Sequence, residues 1–416
     1  MHPRQILKAR AKRKKIVIDE DNLTSDDEEE ITNIFFNKMY NNRYTIIKYL
    51  GRGTFSRLWL VYDIIEGNFK AMKMQNKNDI EEGKNEIKIL QNMNHPNIVT
   101  LYDHFFSEDY LCLIIELLGG DLFTIQDIFS EKNIPESIIV KIFKEILNGV
   151  EHIHSKNIIH TDLKLENILM TQIHPNIKHL IEYFKENLNV NFNDYLEKIL
   201  PENFKELKND KRKKLKKKFK IRCASLINVK IKQLMNDYKD VDLQYTEEDF
   251  NDIHIKIIDL GNGEHTNDIS NDEISYKYYR SPENILGYDY NTKVDIWSLG
   301  CIFYEFITRK YLIEIKNYKN DIDRDRQLLL NIQSVIGKIP KNFALNSEYA
   351  EELFDKKGRI LKYKNNIEDK IIKDELKEFI NNEELLEKIN DLLMKMIIYT
   401  PNNRISAKEC LAHNLF

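Results

Sequence analysis

Residues 158–170 read Ile158-Ile-His160-Thr161-Asp162-Leu-Lys164-Leu-Glu-Asn167-Ile-Leu-Met170. Apolar runs flank a polar core in which Asp162, Lys164 and Asn167 stand at i, i+2 and i+5. A carboxylate, an ammonium and an amide at that spacing suit phosphoryl transfer. The carboxylate can take the proton of an attacking hydroxyl, the ammonium can sit against the moving phosphate, and the amide oxygen can ligate a metal. Taken alone the triplet is only a spacing. Its weight comes from what precedes and follows it.

Upstream, Arg43–Leu50 alternates as a strand does. Leu50-Gly51-Arg52-Gly53-Thr54-Phe55-Ser56-Arg57-Leu58 comes next, and a second strand-like run, Trp59–Tyr62, follows it. Glycines let the backbone approach phosphate oxygens and present N–H groups. Phe55 at the tip would shield the phosphates from water, and Ser56 stands in the third glycine position. A bare Gly-x-Gly is weak, because many hairpins carry one. The dinucleotide fingerprint is excluded, because a strand and not a helix follows. Phe69–Met74 reads as a strand carrying Lys73, and Glu86 lies in the helical pattern Glu82–Met93. A buried lysine aimed at the α/β-phosphates needs such a counter-charge. In isolation a Lys–Glu pair reads as an exposed salt bridge, and Lys70 and Glu82 are the alternative partners. Asn97–Phe106 and Tyr110–Leu117 supply two more strands, completing a five-stranded sheet with one helix. Glu116-Leu-Leu118-Gly-Gly-Asp121 reads as a hinge. Ile115 would flank an adenine pocket, and backbone groups around Glu116–Leu118 would bond the adenine edge.

Downstream, a helix over about Glu136–Ser155 leads into the opening stretch, and the strand Ile255–Ile258 leads into Asp259-Leu260-Gly261. Asp259 is the expected second metal-binding group, beside Asn167. Between them lies an insertion, roughly Thr171–Asn251, with the basic run Lys211–Lys220. The two catalytic parts must fold side by side, so this segment must loop out, at small cost in loop entropy. It is expected to be partly helical around Ile181–Lys208 and mobile elsewhere, with the basic run a solvated face or a nuclear-import, nucleic-acid or docking patch. An activation segment runs from Asp259 to Glu283. Glu283 and Arg404 have the order of a buried ion pair, and Asp295 that of a brace for the backbone of the catalytic loop.

The 416 residues suffice for a substantial core, and 42% hydrophobic with 31% charged residues is globular. A formal charge of −4 argues against a uniformly basic nucleic-acid binder. The four cysteines form no CxxC pair, so neither a disulfide framework nor a zinc site is indicated. No signal peptide or membrane-spanning run is apparent. Residues 1–42 are expected to be disordered or extended. They hold the basic block Lys8–Lys15, the acidic block Asp19–Glu30 around Thr24 and Ser25, and then Phe35, Phe36, Met39 and Tyr40, which can pack on the following domain.

The ordered set Gly51/Gly53, Lys73, Glu86, Asp162/Lys164/Asn167, Asp259-Leu-Gly261, Ser281-Pro-Glu283, Asp295 and Arg404 resembles eukaryotic-type serine/threonine protein kinases. Within them it is most similar to the SR-protein kinases of the CMGC group. That likeness rests on His160-Thr161-Asp162, Phe55-Ser56, Asp259-Leu-Gly-Asn262, the spacer before it, and Tyr279-Arg280-Ser281-Pro-Glu283. The resemblance implies an α+β, two-lobed fold. A small lobe (43–118) would carry a five-stranded antiparallel sheet plus one helix, and a mostly helical large lobe (119–416) would be interrupted at about 171–251. It implies ATP and Mg2+ as cofactors, and an intracellular, cytoplasmic or nuclear monomer. The Asn-, Ile- and Lys-heavy composition points to an AT-rich genome such as that of a parasite or large virus, and a viral source would mean a host-cell or virion location. The protein substrates would be Arg/Ser-rich, bound by acidic residues such as Asp323, Asp325, Glu351 and Glu352. A CMGC kinase of another specificity and a non-catalytic pseudokinase scaffold are the alternatives. Thr161 stands where most kinases have an arginine that binds an activating phosphate, which implies activity without that phosphate. Leu165 replaces the family's proline after Lys164.

Overall fold

The computed structural model describes residues 35–53, 56–76, 80–107, 110–270, 274–315, 318–363 and 370–416. The charged blocks at 8–15 and 19–30, and Thr54 and Phe55 at the loop tip, lie outside the described residues.

The small lobe is a sheet with one helix against it. Its strands are β1 (Met39–Tyr40), β2 (Tyr44–Arg52), β3 (Ser56–Asp63), β4 (Asn68–Asn76), β5 (Leu101–Ser107) and β6 (Tyr110–Ile115), in the order β1-β2-β3-β4-β6-β5. All pairings are antiparallel. There are six strands, not five, because Met39 pairs with Thr45 and Tyr40 with Tyr44 at the edge. Alternation sorts the side chains onto two faces. Trp59, Val61, Met72, Met74, Cys112 and Ile114 form one apolar layer, which Phe35 and Tyr40 help to cover. Ile87 of α1 (Ile80–Leu90) packs with Leu111 and Leu113 on the other.

The large lobe is built on helices. α2 (Leu122–Ile128) and α3 (Glu136–Ser155) come first. The buried residues Ile139, Ile142, Phe143, Ile146, Val150 and Ile153 recur along α3 at helical spacing and face the core. Two short ribbons follow, and they decide where the polar residues go. β8 (Ile168–Met170) pairs with β9 (Ile255–Ile257), and β7 (Ile158–Ile159) pairs with β10 (Glu264–His265). After the insertion come α7 (Lys293–Thr308), α8 (Asp321–Ile336) and α9 (Glu383–Met396). Helix α7 is buried on every side from Val294 to Thr308 and is the centre of the lobe. No described helix is long and apolar enough to cross a membrane.

The insertion departs from expectation. It leaves β8 and returns to β9 through a closed neck, where the Thr171 N–H donates to the His254 carbonyl at 2.9 Å. Between those ends it is helical through most of its length: α4 (Pro175–Asn187), α5 (Phe192–Ile199) and α6 (Asn209–Asp237). The longest helix covers the basic run, outside the stretch where helix was expected. Lysine, arginine and leucine favour helix, and a docked second half supplies the tertiary support. Phe184, Leu196, Cys223, Ile227 and Ile231 pack with Ile47, Leu60 and Tyr62 of the small-lobe sheet and with Ile64 in the turn after β3. The Thr45 hydroxyl donates to Asn228 Oδ1 at 2.7 Å, and Lys48 pairs with Asp240 at 2.6 Å. A chain segment that begins in the large lobe is thus anchored on the small one.

Truncating Ile227 to alanine removes buried methyl groups from that junction. The expected cost is about 2–4 kcal/mol in urea unfolding. A loss below about 0.5 kcal/mol would mean that the insertion does not fold with the small-lobe sheet.

Candidate active site

The cleft is assembled by register. Strand β4 sets Lys73 opposite Leu58 on β3 and Leu113 on β6. From there its ammonium reaches two carboxylates, Glu86 Oε2 of α1 and Asp259 Oδ1 beyond β9, each at 2.7 Å. Glu86 is almost fully buried. Burial alone would lower the pKa of Lys73, but the charges of Glu86 and then Asp259 outweigh it and hold the lysine protonated. For Asp259 burial opposes ionisation, and the Lys73 ammonium wins and keeps its carboxyl below the ordinary value. Of the alternatives weighed for the lysine, Lys70 pairs with Glu66 at 2.8 Å instead.

The ribbons bring the two polar loops together. The Ile258 N–H donates to the Asn167 carbonyl at 3.0 Å, so Asp259 begins beside Asn167. The Asn167 amide donates to the Asp162 carbonyl at 2.8 Å and to Asp162 Oδ2 at 3.3 Å. Lys164 Nζ also reaches Asp162 Oδ2, at 2.7 Å. Both donors gather on one carboxylate oxygen.

The loop is held from beneath. Asp295 Oδ2 accepts from the His160 N–H at 2.8 Å, and Oδ1 accepts from the Thr161 N–H at 3.0 Å. His154 Nε2 lies 2.8 Å from Oδ2. Asp295 is fully enclosed, yet the His154 contact and these N–H groups hold its carboxyl below the usual range against the effect of burial. The brace is needed because Thr161 has φ +68°, a left-handed conformation that a β-branched residue rarely adopts. Thr161 Oγ1 donates to the Asn262 carbonyl at 2.9 Å, and the Ser275 hydroxyl donates to the Thr161 carbonyl at 2.7 Å. His160 Nε2 lies 3.0 Å from the Ile258 carbonyl. Further down, Arg404 makes a two-pronged contact with Glu283 at 2.7 and 2.8 Å, both residues being buried.

The glycine-rich hairpin pairs Gly51 with Leu58 and Arg52 with Arg57, and the Gly53 N–H bonds the Ser56 carbonyl at 2.9 Å. Gly51 has φ +152°, which disfavours a side chain there. Leu50 is half-buried and packs toward the insertion. In the hinge, the Glu116 N–H is taken by the Thr100 carbonyl and its carboxylate pairs with Lys256 at 3.0 Å, while Leu118 packs on the large-lobe core. The Glu116 side chain therefore serves the protein's interior.

Two features escaped the sequence. Asn85 Nδ2 donates to the carbonyls of Gly261 at 2.9 Å and Gly263 at 2.8 Å, tying α1 to the loop after Asp259. An asparagine in a helix has no motif to mark it. Tyr279 donates its hydroxyl to Glu305 Oε2 at 2.7 Å, and burial pushes the Glu305 carboxyl up to about 7. Its partner is in another element, so neither residue signals the contact.

The protein kinase domain family matches residues 44–183 and 172–416. The chain belongs to the protein kinase domain family. Among known relatives, this kinase is 28% identical to the serine/threonine-protein kinase SRPK of Physarum polycephalum, over 90% of this chain and 86% of that protein. It is 24% identical to the dual specificity protein kinase lkh1 of Schizosaccharomyces pombe, over 94% of this chain but 49% of that protein. It is 23% identical to human SRSF protein kinase 3, over 90% of this chain and 86% of that one. The kinase is thus similar to SR-protein kinases along nearly its whole length.

Asn85→Ala should lower kcat by about tenfold with little change in thermal stability, because it loosens α1 from the Asp259 loop without opening a core cavity. An unchanged kcat would remove Asn85 from the positioning network. For Glu305, the raised pKa means that the folded chain keeps its proton between about 4.5 and about 7 while the unfolded chain loses it. Its contribution to stability is therefore present at acidic pH and is lost as pH rises through about 7. Urea stability should fall over that window, and Glu305→Gln should flatten the fall. Equal slopes in both proteins would show that Glu305 titrates normally.

Proposed function

We propose that this kinase transfers the γ-phosphoryl group of ATP to serine or threonine hydroxyls of Arg/Ser-rich protein substrates. The observation that carries the reaction is the convergence of Lys73, Glu86, Asp259, Asn167, Asp162 and Lys164 on one cleft. Lys73, oriented by Glu86, would hold the α/β-phosphates beneath the Gly51–Leu58 hairpin, and backbone groups around Glu116–Leu118 would receive the adenine edge. Asp162 orients the substrate hydroxyl and accepts its proton, and Lys164 stabilises charge on the transferred group.

Asp259 and Asn167 offer hard oxygen donors, which suit magnesium. Among the described residues no group of three or more acidic, histidine or cysteine side chains forms a self-sufficient metal cage. An ion there would be held by one carboxylate and one amide, with substrate phosphates and water completing its shell. Bound there, the ion would neutralise phosphate charge. The catalytic proton stays with Asp162.

Substrate class draws on a second region. A cavity of about 290 Å³ is lined by Asp289, Asp321, Asp325, Glu348 and Glu352 among others. Of the acidic residues considered from sequence, Asp325 and Glu352 belong to it, while Asp323 is engaged by the Tyr363 hydroxyl. Asp321 and Asp325 are paired with Arg324 at 3.0 and 2.9 Å, and Asp289, Glu348 and Glu352 on the same groove supply carboxylates that suit an arginine-rich segment. Regulation follows from Thr161. The activation segment is tied to the catalytic loop by neutral hydrogen bonds through Asn262 and Ser275, which supports activity without an activating phosphate. The four cysteines are buried and unpaired, which suits a reducing intracellular compartment.

Asp162→Asn should cut turnover by about 10²–10⁴-fold while ATP affinity stays within about twofold. Loss of ATP binding with turnover intact would contradict these roles. A radiolabel assay on an RS-repeat peptide, a proline-directed peptide and a generic basic protein should favour the RS-repeat peptide. Preference for the proline-directed peptide would place the enzyme elsewhere among CMGC kinases. Phosphatase treatment should leave activity within about twofold, and a large loss would refute activity without an activating phosphate.

A further inference from the structure

Helix α6 does two different things along its length. Its second half is anchored, with Cys223, Ala224, Ile227 and Ile231 buried and Asn228 bonded to Thr45. Two turns back along the same face, Lys216, Lys217 and Lys220 replace Cys223, Ala224 and Ile227, and all three are exposed. Phe219, one turn before Cys223, still packs against the docked cluster, but at these three lysines the face that docks the second half is open. Nine of the fourteen residues from Asn209 to Arg222 are lysine or arginine, and all nine are exposed. Successive steps of about 100° place them on every side of a rod about 21 Å long.

Among the described residues, none of the nine has a carboxylate within ion-pair distance. Elsewhere the chain pairs surface lysines with an acid one turn away, as in Lys84–Glu81, Lys388–Glu384 and Lys395–Asp391. In α6 the turn-to-turn neighbours are alike instead, as in Arg212–Lys216, Lys213–Lys217 and Lys214–Lys218. Such pairs repel and oppose the helix they stand on. A polyanion would relieve that repulsion.

We propose that the Asn209–Arg222 half of α6 binds double-stranded nucleic acid through its phosphates, without reading sequence. Cations around the whole circumference match a groove walled by phosphate rows on both sides, and a major groove about 12 Å wide admits a helix. A membrane plane or an acidic peptide would be answered by one charged face. The half-helix also lacks the continuous apolar face that insertion into lipid requires. Helix α6 supplies none of the cleft residues named above, so this binding is separate from phosphoryl transfer.

The test uses the full chain and fluorescence anisotropy with labelled 20-base-pair DNA and RNA duplexes, titrated between 50 and 200 mM salt. About six phosphate contacts should give a log–log slope near −5 and a loss of about 10³-fold in affinity across that range. The combined variant Lys213→Gln, Lys216→Gln, Lys217→Gln and Lys220→Gln should make the slope shallower by about 3–4. It should phosphorylate a short peptide at the parent rate, which confirms that it folds. Binding of both duplexes assigns the site to phosphate rows in general, and binding of one alone assigns it to that groove geometry. Absence of duplex binding at 50 mM salt would overturn the proposal. So would an unchanged slope in the variant, or binding to phosphatidylserine vesicles in place of duplexes. Duplex binding that appears only after neutralisation of Asp26–Glu30 would assign the helix to the chain's own acidic segment and overturn it as well.

Discussion

The Lys73 ammonium is shared between Glu86 and Asp259 at 2.7 Å each, and the cleft depends on that sharing. The three residues come from a small-lobe strand, a helix and a large-lobe loop. Burying one charge of either sign would be unfavourable, so each element's position requires the other two. With one cation between two carboxylates, Lys73 is kept charged against burial and Asp259 is kept ionised. Both are in the state that the proposed phosphate and metal contacts would need. Asn85 adds a neutral tether at the same junction, fixing α1 to the backbone on the far side of Asp259.

A second constraint acts through the backbone. Thr161 and Asp259 both have positive φ, at +68° and +63°. Neither is glycine, so both conformations cost energy and persist only where the surroundings impose them. Asp295 imposes the first through two backbone N–H bonds, and the β8–β9 ribbon with the Lys73 contact imposes the second. The strain lies at the two residues that flank the reacting centre, where the backbone must turn sharply to aim a side chain into the cleft.

The insertion shows how a large excursion leaves such a site intact. Its ends are joined by the Thr171–His254 hydrogen bond, so the ribbon closes as if the intervening helices were absent. Its own helices then find an apolar partner in the small-lobe sheet. The same segment carries the exposed cations of α6, so the part that lengthens the chain also adds a surface of its own.

The sequence by itself determined the strands and helices around the cleft, the order of the polar residues, and which of them could act together. Those properties are local: alternation, helical spacing, and a fixed i, i+2, i+5 separation within one loop. The helix Glu136–Ser155 and the Lys73–Glu86 and Glu283–Arg404 pairs stand where the spacing put them. Tertiary structure decided what depends on partners distant in the chain. Strand β1 exists only because the edge of β2 is open to Met39 and Tyr40. The long helix over the basic run persists because its far half docks on the sheet. Asn85 acquires its role from carbonyl groups brought to it by another element, and Glu305 acquires its raised pKa from the burial that packing imposes on it. Around Ile158–Met170, the residues were legible from their order, while the left-handed turn at Thr161 and the carboxylate that holds it came from the packing of α7 beneath the loop.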